Sequence, residues 1–252
     1  MKNTYILNTI AFQSRFQAGE RQEDVVGGVK ELGFDAIEVR NELLTGGDEE
    51  ITRIANLAQE AGLDVYYSVN DVLVDSEHLT SNLSRYIHEM RLLGSNHLKM
   101  NIGKLTKVTS QTLQDELVPL MDGSFELNLE NNQTLADSSL DTTRAFYQLA
   151  SQVELPDVHY CFDIANWSWL DASADQAAVA LNPVTTYLHL KNETTVAGKL
   201  TVTPLEEGDL DWRKLLASFD HVNAYGFEYA GNEATIKQEL VLLKEYLEDF
   251  GG

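Results

Sequence analysis

Short β-type runs alternate with longer amphipathic stretches at nearly even spacing along this chain, and that alternation permits very few architectures. The strand-like runs are Tyr5–Phe12, Ala36–Arg40, Asp64–Val69, His97–Ile102, Phe125–Asn131, His159–Ala165, Thr186–Asn192 and Asn223–Tyr229. Helix candidates follow at Glu23–Leu32, Asp48–Ala61, Glu77–Leu93, Ser110–Met121, Leu140–Val153, Ala174–Leu181, Asp211–Phe219 and Glu233–Asp249. Gly33, Gly62 and Gly94 stand where left-handed helix caps belong, each a few residues before the next strand. Eight such units over 252 residues, with no break in composition, leave a closed eight-fold barrel or an open doubly wound sheet.

The strands themselves decide between the two. An open parallel sheet is covered by helices on both faces, so its central strands read as nearly continuous apolar runs. Here Glu38 and Arg40 flank Val39, Lys99 and Asn101 flank Met100, Asn128 and Glu130 flank Leu129, and His189 and Lys191 flank Leu190. One face of each strand suits packing under helices, while the other turns polar toward the carboxyl end, as the mouth of a barrel requires. The expectation is a single-domain α/β protein, a (β/α)8 TIM barrel spanning residues 1–252.

Charge narrows the partners. With 40 Asp and Glu against 18 Lys and Arg, the formal charge of −22 would repel a phosphate backbone, so nucleic acid is excluded as a partner. A single cysteine, Cys161, gives no internal disulfide framework and fits a reducing compartment. Met1 to Phe12 lacks the apolar core of a secretory signal, and no stretch approaches the ~20 apolar residues of a membrane span. The expected location is cytoplasmic, with no membrane partner and with a homo-oligomer compatible.

Late in the last four strands stand Glu130, Asp163, His189 and Glu228. Neighbouring strands lie ~4.8 Å apart, so four successive strand ends can surround one cation. Three carboxylates and one imidazole suit a single divalent ion, Mn2+, Mg2+, Co2+ or Zn2+, with positions left for substrate oxygens. Taken singly, Glu130 or Glu228 reads more often as an edge or surface residue, and Asp163 with His189 equally well as a structural pair; their joint occurrence at equivalent strand positions favours the metal set. Arg40, Lys99 and Lys191 share the inward face and can either hold substrate oxygens or pair with the carboxylates. Trp167 and Trp169 read as a wall over a ligand or as core, Cys161 as a small buried hydrophobe, and the loops at Ser14–Gln22 and Asn70–Asp75 as determinants of substrate choice. No dinucleotide or phosphate-loop fingerprint is present, so no organic cofactor is expected.

These segments, with Gly33-Phe34-Asp35-Ala36-Ile37-Glu38 and Glu207-Gly208-Asp209-Leu210-Asp211-Trp212, resemble the xylose isomerase-like barrel superfamily, in particular its sugar phosphate isomerase/epimerase branch, over nearly the whole chain. The resemblance implies a divalent metal held by Glu130, Asp163, His189 and Glu228. It also implies isomerisation or epimerisation of a small sugar or other polyhydroxy carbonyl compound through a metal-stabilised enediolate, with Glu130 and Glu228 as the catalytic acid and base. Two positions depart from the family pattern. Asn166 stands where the strand-six motif has a His, beside the substrate, and Asn192 replaces the acid of the strand-seven motif His-x-Lys-Asp. The same scaffold in the family also supports a keto-inositol or dehydroshikimate-type dehydratase, a lyase alternative; a non-catalytic ligand-binding barrel is the other. A phosphodiesterase of the endonuclease IV type is disfavoured by the charge and the scarcity of histidines.

Overall fold

The computed structural model describes residues 2–250; Met1, Gly251 and Gly252, which the expected domain span includes, lie outside the described residues. Eight parallel strands form the barrel: β1 (Thr4–Asn8), β2 (Ala36–Arg40), β3 (Asp64–Asp75), β4 (His97–Lys104), β5 (Glu126–Glu130), β6 (Val158–Asp163), β7 (Thr185–Leu190) and β8 (Ala224–Phe227). The ring is closed because β1 pairs with both β8 and β2, and β2 pairs in turn with β3 through Ala36↔Asp64 to Arg40↔Ser68. Helices cover the outer face, among them Gln22–Leu32, Gly47–Ala61, Leu140–Ala150 and Glu233–Phe250. The open-sheet alternative is thereby excluded.

Alternation along the strands produces two cores. Leu7, Ile37, Val39, Leu98, Met100, Leu127, Leu129, Phe162, Leu188 and Phe227 point outward into one continuous apolar layer beneath the helices. Inside the ring, Ile6, Ala36, Tyr66, Cys161, Tyr187 and Ala224 fill the lower barrel, as expected for Cys161. That plug supports the polar layer above it.

Three segments differ from the sequence reading. Asn70–Asp75 is a continuation of β3, with a bulge between Ser68 and Val72 that restores pairing to β4 at Asn101 and Gly103. The helix expected from Glu77 begins at Leu83, because His78–Leu79 turns back and pairs with Val74–Asp75. Asn192–Val196 and Lys199–Thr203 form a hairpin beyond β7, unread in the sequence because its turn places Ala197 at φ 50, a conformation rare for alanine. No helix among the described residues is long and apolar enough to cross a membrane.

The β3 extension is seated by Gly103, whose φ of 90 is unfavourable for any other residue and where a Cβ would lie 2.1 Å from the Val74 carbonyl oxygen. Gly103→Ala is therefore expected to lower unfolding free energy by about 2 kcal/mol or more. Urea denaturation checks this, and an unchanged midpoint would contradict it.

Candidate metal centre

Each member of the quartet is placed by its strand. Glu130 ends β5, Asp163 ends β6, His189 is the penultimate residue of β7, and Glu228 follows β8, its amide donating to the Leu190 carbonyl at 3.1 Å. Register sets Asp163 beside His189 and His189 beside Gly226. One ligand atom from each of Glu130, Asp163, His189 and Glu228 lies within 4.8 Å of the others, and all four residues are buried.

The inner two residues are aimed by what holds their other atoms. Asp163 Oδ1 accepts the amides of Ala165 and Asn166, both at 2.9 Å, which leaves Oδ2 turned to the centre. His189 Nε2 lies 3.1 Å from a Glu38 oxygen and 3.0 Å from Tyr187 Oη. Its Nδ1 consequently faces inward, 2.5 Å from Glu130 Oε1 and 3.4 Å from Glu228 Oε2. A carboxylate behind a histidine fixes the ring and raises the basicity of the nitrogen in front. Glu38 is gripped in turn by Tyr187 Oη, donating at 2.6 Å, and by the side-chain amide of Asn8. Gly226 leaves room for that arrangement, since a Cβ there would come 2.4 Å from Tyr187 Oη.

Three cations close the network. Lys191 Nζ is 2.6 Å from Asp163 Oδ2 and 2.8 Å from Glu228 Oε2. The first of these is an ion contact in which Asp163 Oδ2 has Lys191 as its only close cation among the described residues. Arg40 Nη1 is 2.8 Å from Glu228 Oε1, its outer edge is 2.5 Å from Glu42, and Lys99 pairs with Glu130.

Burial opposes every one of these charges, and the partners mostly overcome it. For Glu38, burial would raise the carboxyl, but His189 and Lys99 hold it down to about 2. Glu130 and Glu228 are likewise kept low against burial, chiefly by Lys99 and Lys191 respectively. At Asp163 burial prevails over Lys191 and pushes the carboxyl up to about 6. Burial disfavours the imidazolium of His189, yet the anionic surroundings that include Glu38 and Glu130 raise its pKa well above the ordinary value. Cys161, whose sulfur also lies within 4.8 Å of Glu130 and His189 ligand atoms, is a neutral thiol because burial pushes it up to about 12.

The donor set fits a divalent cation. Its hard oxygens and single nitrogen converge, and Asp163 Oδ2 and His189 Nδ1 point inward while their partner atoms are bound elsewhere. Above it opens a polar cleft of about 270 Å3, to which Glu130 and Glu228 contribute but Asp163 and His189 do not. Arg40, Lys99, Asn166 and Lys191, the expected substrate contacts, all line it. Asn166 is held at both ends, donating to the Asn131 carbonyl at 2.7 Å and accepting from Gln133 at 3.1 Å.

Of four further lining residues, Asn101 reads from the sequence on the inward polar face and Asn70 in a loop governing substrate choice, while Asn132 and Gln133 escaped the sequence reading, as did the role of Glu38. Inward alternation on β4 signals Asn101; the other three depend on loop and bulge geometry. Asn192 serves structure, donating to the carbonyls of Leu205 and Leu210 and accepting two amides, a task an ionised acid could not perform. Trp167 packs on Phe162 in the core, with ring centroids 5.5 Å apart, and forms no wall over the cleft.

A closed barrel with this cluster at its carboxyl-terminal mouth defines a class. The family model for the xylose isomerase-like TIM barrel matches residues 27–246, and the chain belongs to that family. No curated protein sequence matches it. Among solved structures, similar folds include the probable 3-DHS dehydratase AsbF of Bacillus anthracis, with 20% identity, a TM-score of 0.66 and coverage of 97% of this chain and 99% of that one. An L-ribulose 3-epimerase aligns with 16% identity, a TM-score of 0.68 and coverage of 99% and 95%. The D-allulose 3-epimerase of Methylomonas sp., in complex with D-allulose, aligns with 12% identity, a TM-score of 0.69 and coverage of 97% of both chains.

Because the Glu38 carboxyl is held at about 2, below its ordinary 4.5, its contribution to stability is present above pH 4.5 and is lost as pH falls toward 2. Glu38→Gln is expected to cost on the order of 3 kcal/mol at neutral pH, with a smaller deficit at pH 3. Denaturant unfolding at both pH values measures this; an equal deficit at both would contradict the linkage.

Proposed function

We propose that this protein is a metal-dependent isomerase or epimerase acting on a small sugar or other polyhydroxy carbonyl compound. The observation that carries this reading is the split within the quartet: Glu130 and Glu228 border the cleft, whereas Asp163 and His189 lie beneath it. All four residues would hold the ion, and only two reach substrate. A bound divalent cation supplies Lewis-acid stabilisation of the charge developing on substrate oxygens.

The chain's own groups handle the proton. One of Glu130 and Glu228 removes a proton from the carbon beside the carbonyl, and the other returns a proton to the neighbouring carbon or to the opposite face. Lys99 orients Glu130, while Arg40 orients Glu228. Arg40, Lys99, Lys191 and Asn166 face the substrate oxygens across the cleft. The same proton abstraction followed by loss of a β-hydroxyl would make the protein a dehydratase, and product analysis separates the two.

The test is a solvent-deuterium exchange screen over ketoses, inososes and hydroxypyruvate with Mn2+ present. Deuterium should enter recovered substrate or its isomer, chelation should abolish exchange, and Glu130→Gln or Glu228→Gln should slow it by roughly 10²–10⁴-fold. Exchange undiminished in both variants would refute the assignment. A proton on His189 competes with the ion, and the raised pKa of that group extends the competition toward neutral pH. Mn2+ affinity, followed by electron paramagnetic resonance, should therefore weaken from pH 8 to pH 6, and a flat profile would contradict the role of His189.

A further inference from the structure

Lys191 is buried, yet it lines the cleft, and its ammonium rests on Asp163 Oδ2 and Glu228 Oε2, two atoms of the quartet. The other oxygen of Asp163 takes both neighbouring amides, which leaves Oδ2 to the Lys191 ammonium at 2.6 Å. An ammonium and a divalent ion cannot both occupy the contact zone of the same two oxygens, since like charges at such separations repel strongly in a poorly solvated site. The side chain has somewhere to go: the cleft lies on its outer side, lined by the neutral amides of Asn132, Gln133 and Asn166.

We propose that Lys191 yields its place between Asp163 and Glu228 to the divalent cation and then serves as the substrate-binding cation of the cleft, taking an anionic oxygen of a carboxylate-bearing substrate. This rests on the reading of the quartet as a metal seat. Charge supports the carboxylate. With His189 neutral as a ligand, the inner groups Glu38, Glu130, Asp163 and Glu228 bring four negative charges against three positive ones on Arg40, Lys99 and Lys191, so a divalent ion releases Lys191 from its carboxylates without leaving them unneutralised. Glu42 meets the outer edge of Arg40 at 2.5 Å and takes up part of that cation's charge. The released ammonium is then the cation with the fewest carboxylate partners. A monoanion matches that single released ammonium, whereas a phosphate dianion exceeds it.

The experiment compares wild type with Lys191→Met by Mn2+ titration, and then titrates each Mn2+-loaded protein with glycerate, glycerol and glycerol 3-phosphate. Removing the competing charge should tighten Mn2+ binding by on the order of tenfold or more. The variant should also lose at least about tenfold in glycerate affinity, with glycerol unaffected. Unchanged or weaker Mn2+ binding by the variant, equal glycerate binding by both proteins, or tighter binding of glycerol 3-phosphate than glycerate by wild type would each overturn the proposal. Failure of wild type to bind Mn2+ at all would instead remove the metal reading beneath it. Should the variant not fold, amine acetylation of wild type followed by mass spectrometry decides: Lys191 should react faster with Mn2+ than without, and equal rates would overturn the exchange.

Discussion

Every other feature of the site depends on the neutralisation of four carboxylates buried at one end of the barrel. Removing a carboxylate from water without compensation costs several kcal/mol, so Glu38, Glu130, Asp163 and Glu228 can share this space only with cations among them. The chain provides Arg40, Lys99 and Lys191, each from a different strand or strand end, together with His189 at the centre. The arrangement is directional. Backbone amides and Glu38 occupy the outer atoms of Asp163 and His189, and the remaining atoms converge.

The barrel makes this network possible by its layering. Tyr187 fills the interior below His189 and reaches Glu38 with its hydroxyl, and Gly226 on the adjacent strand leaves space for it. A hydrogen-bonded chain running from Asn8 through Glu38 to His189 therefore stands on a packed floor, where side chains have little freedom to turn away. Rigid support of this kind keeps ligand atoms within the narrow tolerance that ion coordination demands.

Much of this was legible in the sequence because period-two alternation reports which strand face is polar. Glu38, Arg40, Lys99, Asn101, Glu130, His189 and Lys191 all declare themselves in that way, and the structure brings them to one mouth. Less was legible where turn geometry intervenes. The bulge after Ser68 continues β3 through a segment that reads as a loop, and it sets Asn70 at the cleft. Asn192, which the sequence marked only as a departure from the motif, ties the following hairpin and loop to the strand end. Pairing also escaped the sequence. Alternation places Lys191 and Asp163 on the inner face, but only the three-dimensional arrangement shows the ammonium lying against an oxygen of Asp163 and one of Glu228.

The proposed chemistry requires that those four side chains form the seat of a single cation. Anomalous diffraction from crystals grown with Mn2+ tests this directly. The account predicts one strong peak bonded to Glu130, Asp163, His189 Nδ1 and Glu228, with Lys191 displaced into the cleft. Crystals saturated with Mn2+ that show no peak there, with Lys191 still bridging Asp163 and Glu228, would contradict it.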